Sequence, residues 1–118
     1  MVSQLDLKHF AAWRDAANAG LTLPVVIDVR EPWELQAASV SAEGFELLHI
    51  PMQKIPANVN DLKKSYAADH PLAILCHHGV RSQQVAHFLV QHGFTQVVNL
   101  QGGIEAWSDQ LDARVDQY

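Results

Sequence analysis

The run Cys76-His77-His78-Gly79-Val80-Arg81-Ser82 concentrates residue types that do covalent chemistry. A cysteine attacks as its thiolate, which is favoured where backbone N–H groups, a helix N-terminus or a fixed cation surround the sulfur. Pro71-Leu72-Ala73-Ile74-Leu75, just before it, reads as a central strand. Residues 82–92, just after it, read as a helix with Val85, Phe88 and Leu89 on one face and Gly93 as terminator. A loop between strand and helix in an open α/β sheet turns amides inward, and the helix aims its positive end at the same point. Gly79 supplies the backbone freedom such a nest needs, and Arg81 a permanent charge able to hold an oxyanion. The expected chemistry is attack by the Cys76 thiolate on an anionic substrate cradled by His77, His78, Gly79, Val80, Arg81 and Ser82.

Each of these residues also has a plainer reading. A cysteine at a strand end is often only a small buried hydrophobe, but the loop after Cys76 argues for a nucleophile. His78 reads as a solvent-facing loop position; for His77 that reading stands level with a supply of partial positive charge. A metal site is not expected, because adjacent histidines rarely converge on one ion and nothing nearby in sequence completes a ligand set. No cofactor is called for.

Apolar runs rich in β-branched residues alternate with helical periodicity, the pattern of an α/β domain with a mainly parallel sheet. Asp6 can cap a helix carrying Leu7, Phe10, Ala11, Trp13 and Ala17, with Gly20 at its end. Strands are expected at 24–29, 45–50, 71–75 and 97–100. Pro32 opens a helix flanked by acids, and Glu34 in its first turn can reach back to a backbone N–H. Residues 52–70 read as looser, with Asn58 or Asn60 capping a helix over 63–68. Gly102-Gly103 turns the chain into a final short helix over 104–107.

The 118 residues fit one compact domain, 1–118. A net charge of −5 and the lack of a basic run argue against a nucleic-acid partner. The apolar runs are strand-sized, so no membrane span is expected, and residues 1–6 have neither the charged nor the apolar region of a secretory signal. A single cysteine cannot form an internal disulfide, which suits a reducing, cytoplasmic setting.

Four ordered motifs resemble the rhodanese family. The loop matches its Cys-x-x-Gly-x-Arg-Ser pattern, and Asp28-Val29-Arg30-Glu31-x-x-Glu34 its Asp-Val-Arg-Glu signature. His49-Ile50-Pro51 and Asn99-Leu100-Gln101-Gly102-Gly103-Ile104-x-Ala106-Trp107 match two further elements. The ending Val115-Asp116-Gln117-Tyr118 is similar to the tail of rhodanese domains appended to some bacterial sulfur-activating enzymes. The resemblance implies an α/β rhodanese-like domain, with a mainly parallel five-stranded central sheet flanked by helices on both faces. It also implies two-step sulfur transfer, in which Cys76 takes sulfur from a donor such as thiosulfate and yields it to a thiol, a protein or cyanide. Asp28 and Arg30 match positions that brace the loop or line its rim, although a structural ion pair at a strand end is as plain an account and the favoured one for Asp28. Trp33 and Trp107 read as core or rim packing and His49 as a structural histidine.

Three other functions compete. Dual-specificity phosphatases, related to rhodaneses, use the same architecture with five residues between Cys and Arg. Cys76 and Arg81 enclose four, a smaller ring that suits sulfur better than a tetrahedral phosphate. A persulfide carrier within a larger pathway, or a sulfur-pathway binding module without activity, are the remaining readings.

Overall fold

The structure, a computed structural model, describes residues 2–118. Five strands form one sheet in the order β1-β5-β4-β2-β3, and every pairing is parallel. They are β1 (Ser3–Asp6), β2 (Val25–Asp28), β3 (Glu46–His49), β4 (Leu72–Leu75) and β5 (Val97–Gln101). The helices are α1 (Phe10–Ala19), α2 (Pro32–Ala37), α3 (Ile55–Ser65), α4 (Val80–Gln91) and α5 (Gly103–Gln110).

The central strands β2 and β4 are buried along their whole length, because helices cover both faces. Val25 and Ile27 of β2, with Leu72 and Ile74 of β4, pack with Ile55, Val59 and Leu62 of α3 and Val85, Ala86 and Leu89 of α4. Val26, Ala73 and Leu75 point the other way, into a cluster with Phe10, Ile104 and Trp107. Phe10 holds that cluster together, its ring 4.7 Å from Trp107 and 5.5 Å from Phe45.

The connections after β2 and β4 leave the sheet toward opposite faces, β4 into α4 and β2 into α2 and the buried Ala38 and Val40. That divergence opens a crevice at the carboxyl ends of the two strands, where open α/β sheets hold their ligands. Cys76 follows β4 there, and Val29-Arg30 follow β2.

Several expectations are corrected. The fifth strand is β1, in residues where no strand was located from the sequence; Asp6 does accept from the Lys8 amide at 3.0 Å. The helix expected over 63–68 starts at Ile55. Pro56 falls in its first turn, where a missing N–H costs nothing. Asn58 and Asn60 lie inside this helix rather than capping it, with Asn58 bonded back to the Lys54 carbonyl. Helix α4 starts at Val80 instead of Ser82, so Arg81 and Ser82 belong to its first turn. Gly20 ends α1 with φ −82°, and the left-handed conformation falls on Leu21, at φ 60°.

Candidate active site

Cys76 sits at the end of β4 with 1 % of its surface exposed. Its Sγ accepts from the Gly79 amide at 3.0 Å and lies 3.2 Å from the Ser82 hydroxyl. Gly79 caps α4 at φ 99°, a conformation open to glycine, and a side chain there would press on the Gly102 amide. By helix geometry the first-turn amides of α4, from Val80 to Ser82, have no carbonyl partner within the helix, at the same end as Gly79.

The loop is held from below by α5. The amides of Ile104 and Glu105 donate to the carbonyls of Cys76 and His77, at 2.8 and 3.3 Å. A Cβ on Gly103 would lie 2.4–2.6 Å from those same backbone atoms, so the Gly102-Gly103 pair is what lets the two segments touch.

Arg81 points toward α2. Its guanidinium makes two hydrogen bonds to the buried Glu34 carboxylate, at 2.6 and 2.7 Å. Glu34 also accepts from the Glu31 amide at 2.8 Å, closing a capping box, and from the Tyr118 hydroxyl at 2.8 Å. The Arg81 bonds, chiefly, hold Glu34 at a pKa of about 2 against the opposing effect of burial, and Arg81 is raised in turn. The expected reach of Glu34 to a backbone N–H is therefore present, together with a larger role as the anchor of Arg81.

Asp28 and Arg30 form a buried ion pair, Nη2 to Oδ2 at 2.7 Å and Nε to Oδ1 at 2.9 Å. Arg30 also donates to the carbonyls of Ala38 and Glu34 and to the Tyr118 hydroxyl. Burial opposes its charge, but the bonds to Asp28 and Tyr118 outweigh that and raise its pKa. Tyr118 thus bridges the two ion pairs, accepting from Arg30 at 3.0 Å and donating to Glu34. The sequence marked Tyr118 only as the last residue of a tail motif, without this role.

The paired histidines form a stack over the loop. The Tyr118 and His77 rings lie 3.9 Å apart and 9° from parallel, and His78 stacks on His77 at 3.9 Å. His78 reaches Glu105 at 2.8 Å and is half exposed. Burial, first, and the neighbouring His78 lower the His77 pKa, which disfavours its charged form. Among the described residues no cluster of three or more His, Cys, Asp or Glu could hold a metal ion. His49 bonds the Arg30 carbonyl at 2.7 Å, as a structural histidine does. Trp107 is core, whereas Trp33 is 64 % exposed at the rim, edge-on to Tyr118.

Comparison with known proteins agrees with this geometry. The family model described as "Rhodanese-like domain" matches residues 10–110. The chain is 34 % identical over 99 residues to the thiosulfate sulfurtransferase GlpE of Stutzerimonas stutzeri, covering 84 % of this chain and 81 % of that one. It is 33 % identical to a sulfurtransferase of Allochromatium vinosum, over 71 % of each chain. A rhodanese-like domain protein of Staphylococcus aureus superposes with a TM-score of 0.70 at 25 % identity, covering 100 % of this chain and 99 % of that one.

Proposed function

The chain belongs to the rhodanese-like family, and from that premise we propose a sulfurtransferase in which Cys76 carries sulfane sulfur as a persulfide. The Cys76 thiolate attacks the outer sulfur of a donor such as thiosulfate. The donor's S–S bond breaks, its electron pair leaves with sulfite, and the outer sulfur stays on Cys76 as a persulfide anion. A thiophilic acceptor then takes that sulfur and regenerates the thiolate. The observation that carries this reading is the bond from the Gly79 amide to Cys76 Sγ at the N-terminus of α4. A sulfur added to Sγ gains the remaining loop amides as fixed donors for its charge.

In this reading Cys76 is the nucleophile, His77, His78, Gly79, Val80, Arg81 and Ser82 form the cradle, and Asp28 and Arg30 brace it. Arg81 gives two of its five N–H groups to Glu34 and keeps the others for substrate oxygens. Arg81→Ala should then weaken use of anionic thiosulfate more than transfer from an uncharged donor. Equal losses would confine Arg81 to holding the loop.

The chain has one cysteine, so no internal thiol can discharge the persulfide and the acceptor comes from outside. A lone catalytic thiol works best where thiols stay reduced, and we assign it a cytoplasmic setting. No helix among the described residues is long and apolar enough to cross a membrane.

Initial-rate kinetics with thiosulfate and cyanide test the scheme: parallel double-reciprocal lines are expected, and intersecting lines would contradict it. Thioredoxin and glutathione in place of cyanide identify the acceptor class. Persulfide formation from other donors but not thiosulfate would assign a carrier, and none from any donor a binding module.

A further inference from the structure

Asn99, in β5, is a buried polar residue that sulfur transfer as described does not use, yet its whole amide is engaged at the loop. Its Nδ2 donates to the Gly79 carbonyl at 3.1 Å and to Gln4 Oε1 at 2.9 Å. A backbone carbonyl can only accept, so the bond to Gly79 fixes which way the amide faces. The Asn99 Oδ1 is thereby turned to Ser82, and the Ser82 hydroxyl donates to it.

A hydroxyl has one hydrogen. With that hydrogen on Asn99, Ser82 can offer only a lone pair to Cys76 Sγ, 3.2 Å away, and the contact is satisfied by an S–H donating to Ser82. An ionised sulfur has no hydrogen to give. It gains a bond from Ser82 only if the hydroxyl turns away from Asn99, leaving Oδ1 buried without its donor.

We infer that Asn99 is a positioning residue for the sulfur chemistry, one that competes with Cys76 for the Ser82 proton. The resting site is a relay running from Cys76 S–H to Ser82 and from Ser82 to Asn99. Formation of the thiolate or the persulfide anion turns the hydroxyl toward sulfur. Asn99 thus holds the free thiol in a quiet state, while the Gly79 amide serves the sulfur in both.

This inference rests on Cys76 as the reacting sulfur, but its readouts need no transfer activity, so the two ideas fail separately. The first readout is the rate of Cys76 alkylation by iodoacetamide in a double-mutant cycle. Asn99→Ala should raise the rate about threefold or more, because Ser82 is then free to donate to sulfur. In a Ser82→Ala background the same substitution should change it by less than about twofold. Equal changes in the two backgrounds would show that Asn99 only holds the loop, and no change in either would remove it from the site. The second readout uses the natural sequence. With a single cysteine, the S–H stretching band in the infrared is unique. In weakly acidic buffer it should lie at the lowered frequency of a hydrogen-bonded thiol and move up in Ser82→Ala. A free-thiol frequency in the natural protein would overturn the relay.

Discussion

Glu34 and Arg81 meet through two hydrogen bonds, Nη1 to Oε2 at 2.6 Å and Nη2 to Oε1 at 2.7 Å, across the space between α2 and α4. They lie 47 positions apart in sequence, and the pair fastens the helix that follows the loop to the helix that follows β2. Arg81 is therefore an element of architecture before it meets any substrate, and much of its charge is already balanced.

The pair makes stability depend on pH. The folded pKa of Glu34 is about 2, below the value of about 4.5 for a free glutamate, so its stabilisation is complete above pH ~4.5. It is lost as pH falls toward 2, because protonation is then no longer resisted. The difference corresponds to about 2 kcal/mol once screening at the partly exposed Arg81 is allowed for. Urea denaturation from pH 7 down to 3 should show this decline. Glu34→Gln should be less stable at pH 7, and its own decline should be shallower by that amount. An equally steep decline in the variant would place the titrating group elsewhere.

Tyr118 is expected to act through its hydroxyl and its ring separately. Tyr118→Phe keeps the stack on His77 but leaves Arg30 and Glu34 each short of one partner, at a cost of about 1–2 kcal/mol. Tyr118→Ala also uncovers His77 and should cost roughly 1 kcal/mol more. Equilibrium unfolding of the two variants checks the order, and equal stability would remove the ring from the account. Relief of His77 burial in Tyr118→Ala should also raise the His77 pKa, readable by NMR titration.

Gly103 sets how closely α5 approaches the loop. With φ at 62° and the Cys76 and His77 carbonyls 2.4–2.5 Å from any Cβ, Gly103→Ala must push the loop away. A loss of roughly 2–4 kcal/mol is expected, together with at least a tenfold fall in sulfur-transfer rate as the amides leave their aim. Near-natural stability with normal turnover would mean that the loop adapts without loss.

Leu21 offers the opposite case, a site away from the chemistry where stability can be gained. Its φ of 60° is unfavourable for a branched side chain, which is 95 % exposed and gains nothing from the position. Leu21→Asn should raise stability by about 1 kcal/mol without changing activity, measured by thermal unfolding. A fall in stability would show that the conformation is not strained.

The loop itself was legible because strand, glycine and helix punctuate it within a dozen residues, and the ring of four residues follows from counting. Strand β1 was not, since Ser3-Gln4-Leu5-Asp6 is a short, polar edge strand whose pairing to β5 lies almost the whole chain away. The early start of α3 was hidden because Pro56, Asn58 and Asn60 interrupt that stretch, although Ile55, Val59 and Leu62 already had helical spacing. Asn99 was visible only as part of a motif, and Glu34 only as the end of a motif and a capping residue. No local pattern encodes their partners across the sheet and between helices.

The most direct test of Cys76 as the sulfur carrier is the mass of the intact protein after incubation with thiosulfate and removal of small molecules. A gain of one sulfur atom, absent in Cys76→Ser and discharged by added cyanide, is the expected result. No gain from thiosulfate or from any other sulfane donor, or an equal gain in Cys76→Ser, would contradict it.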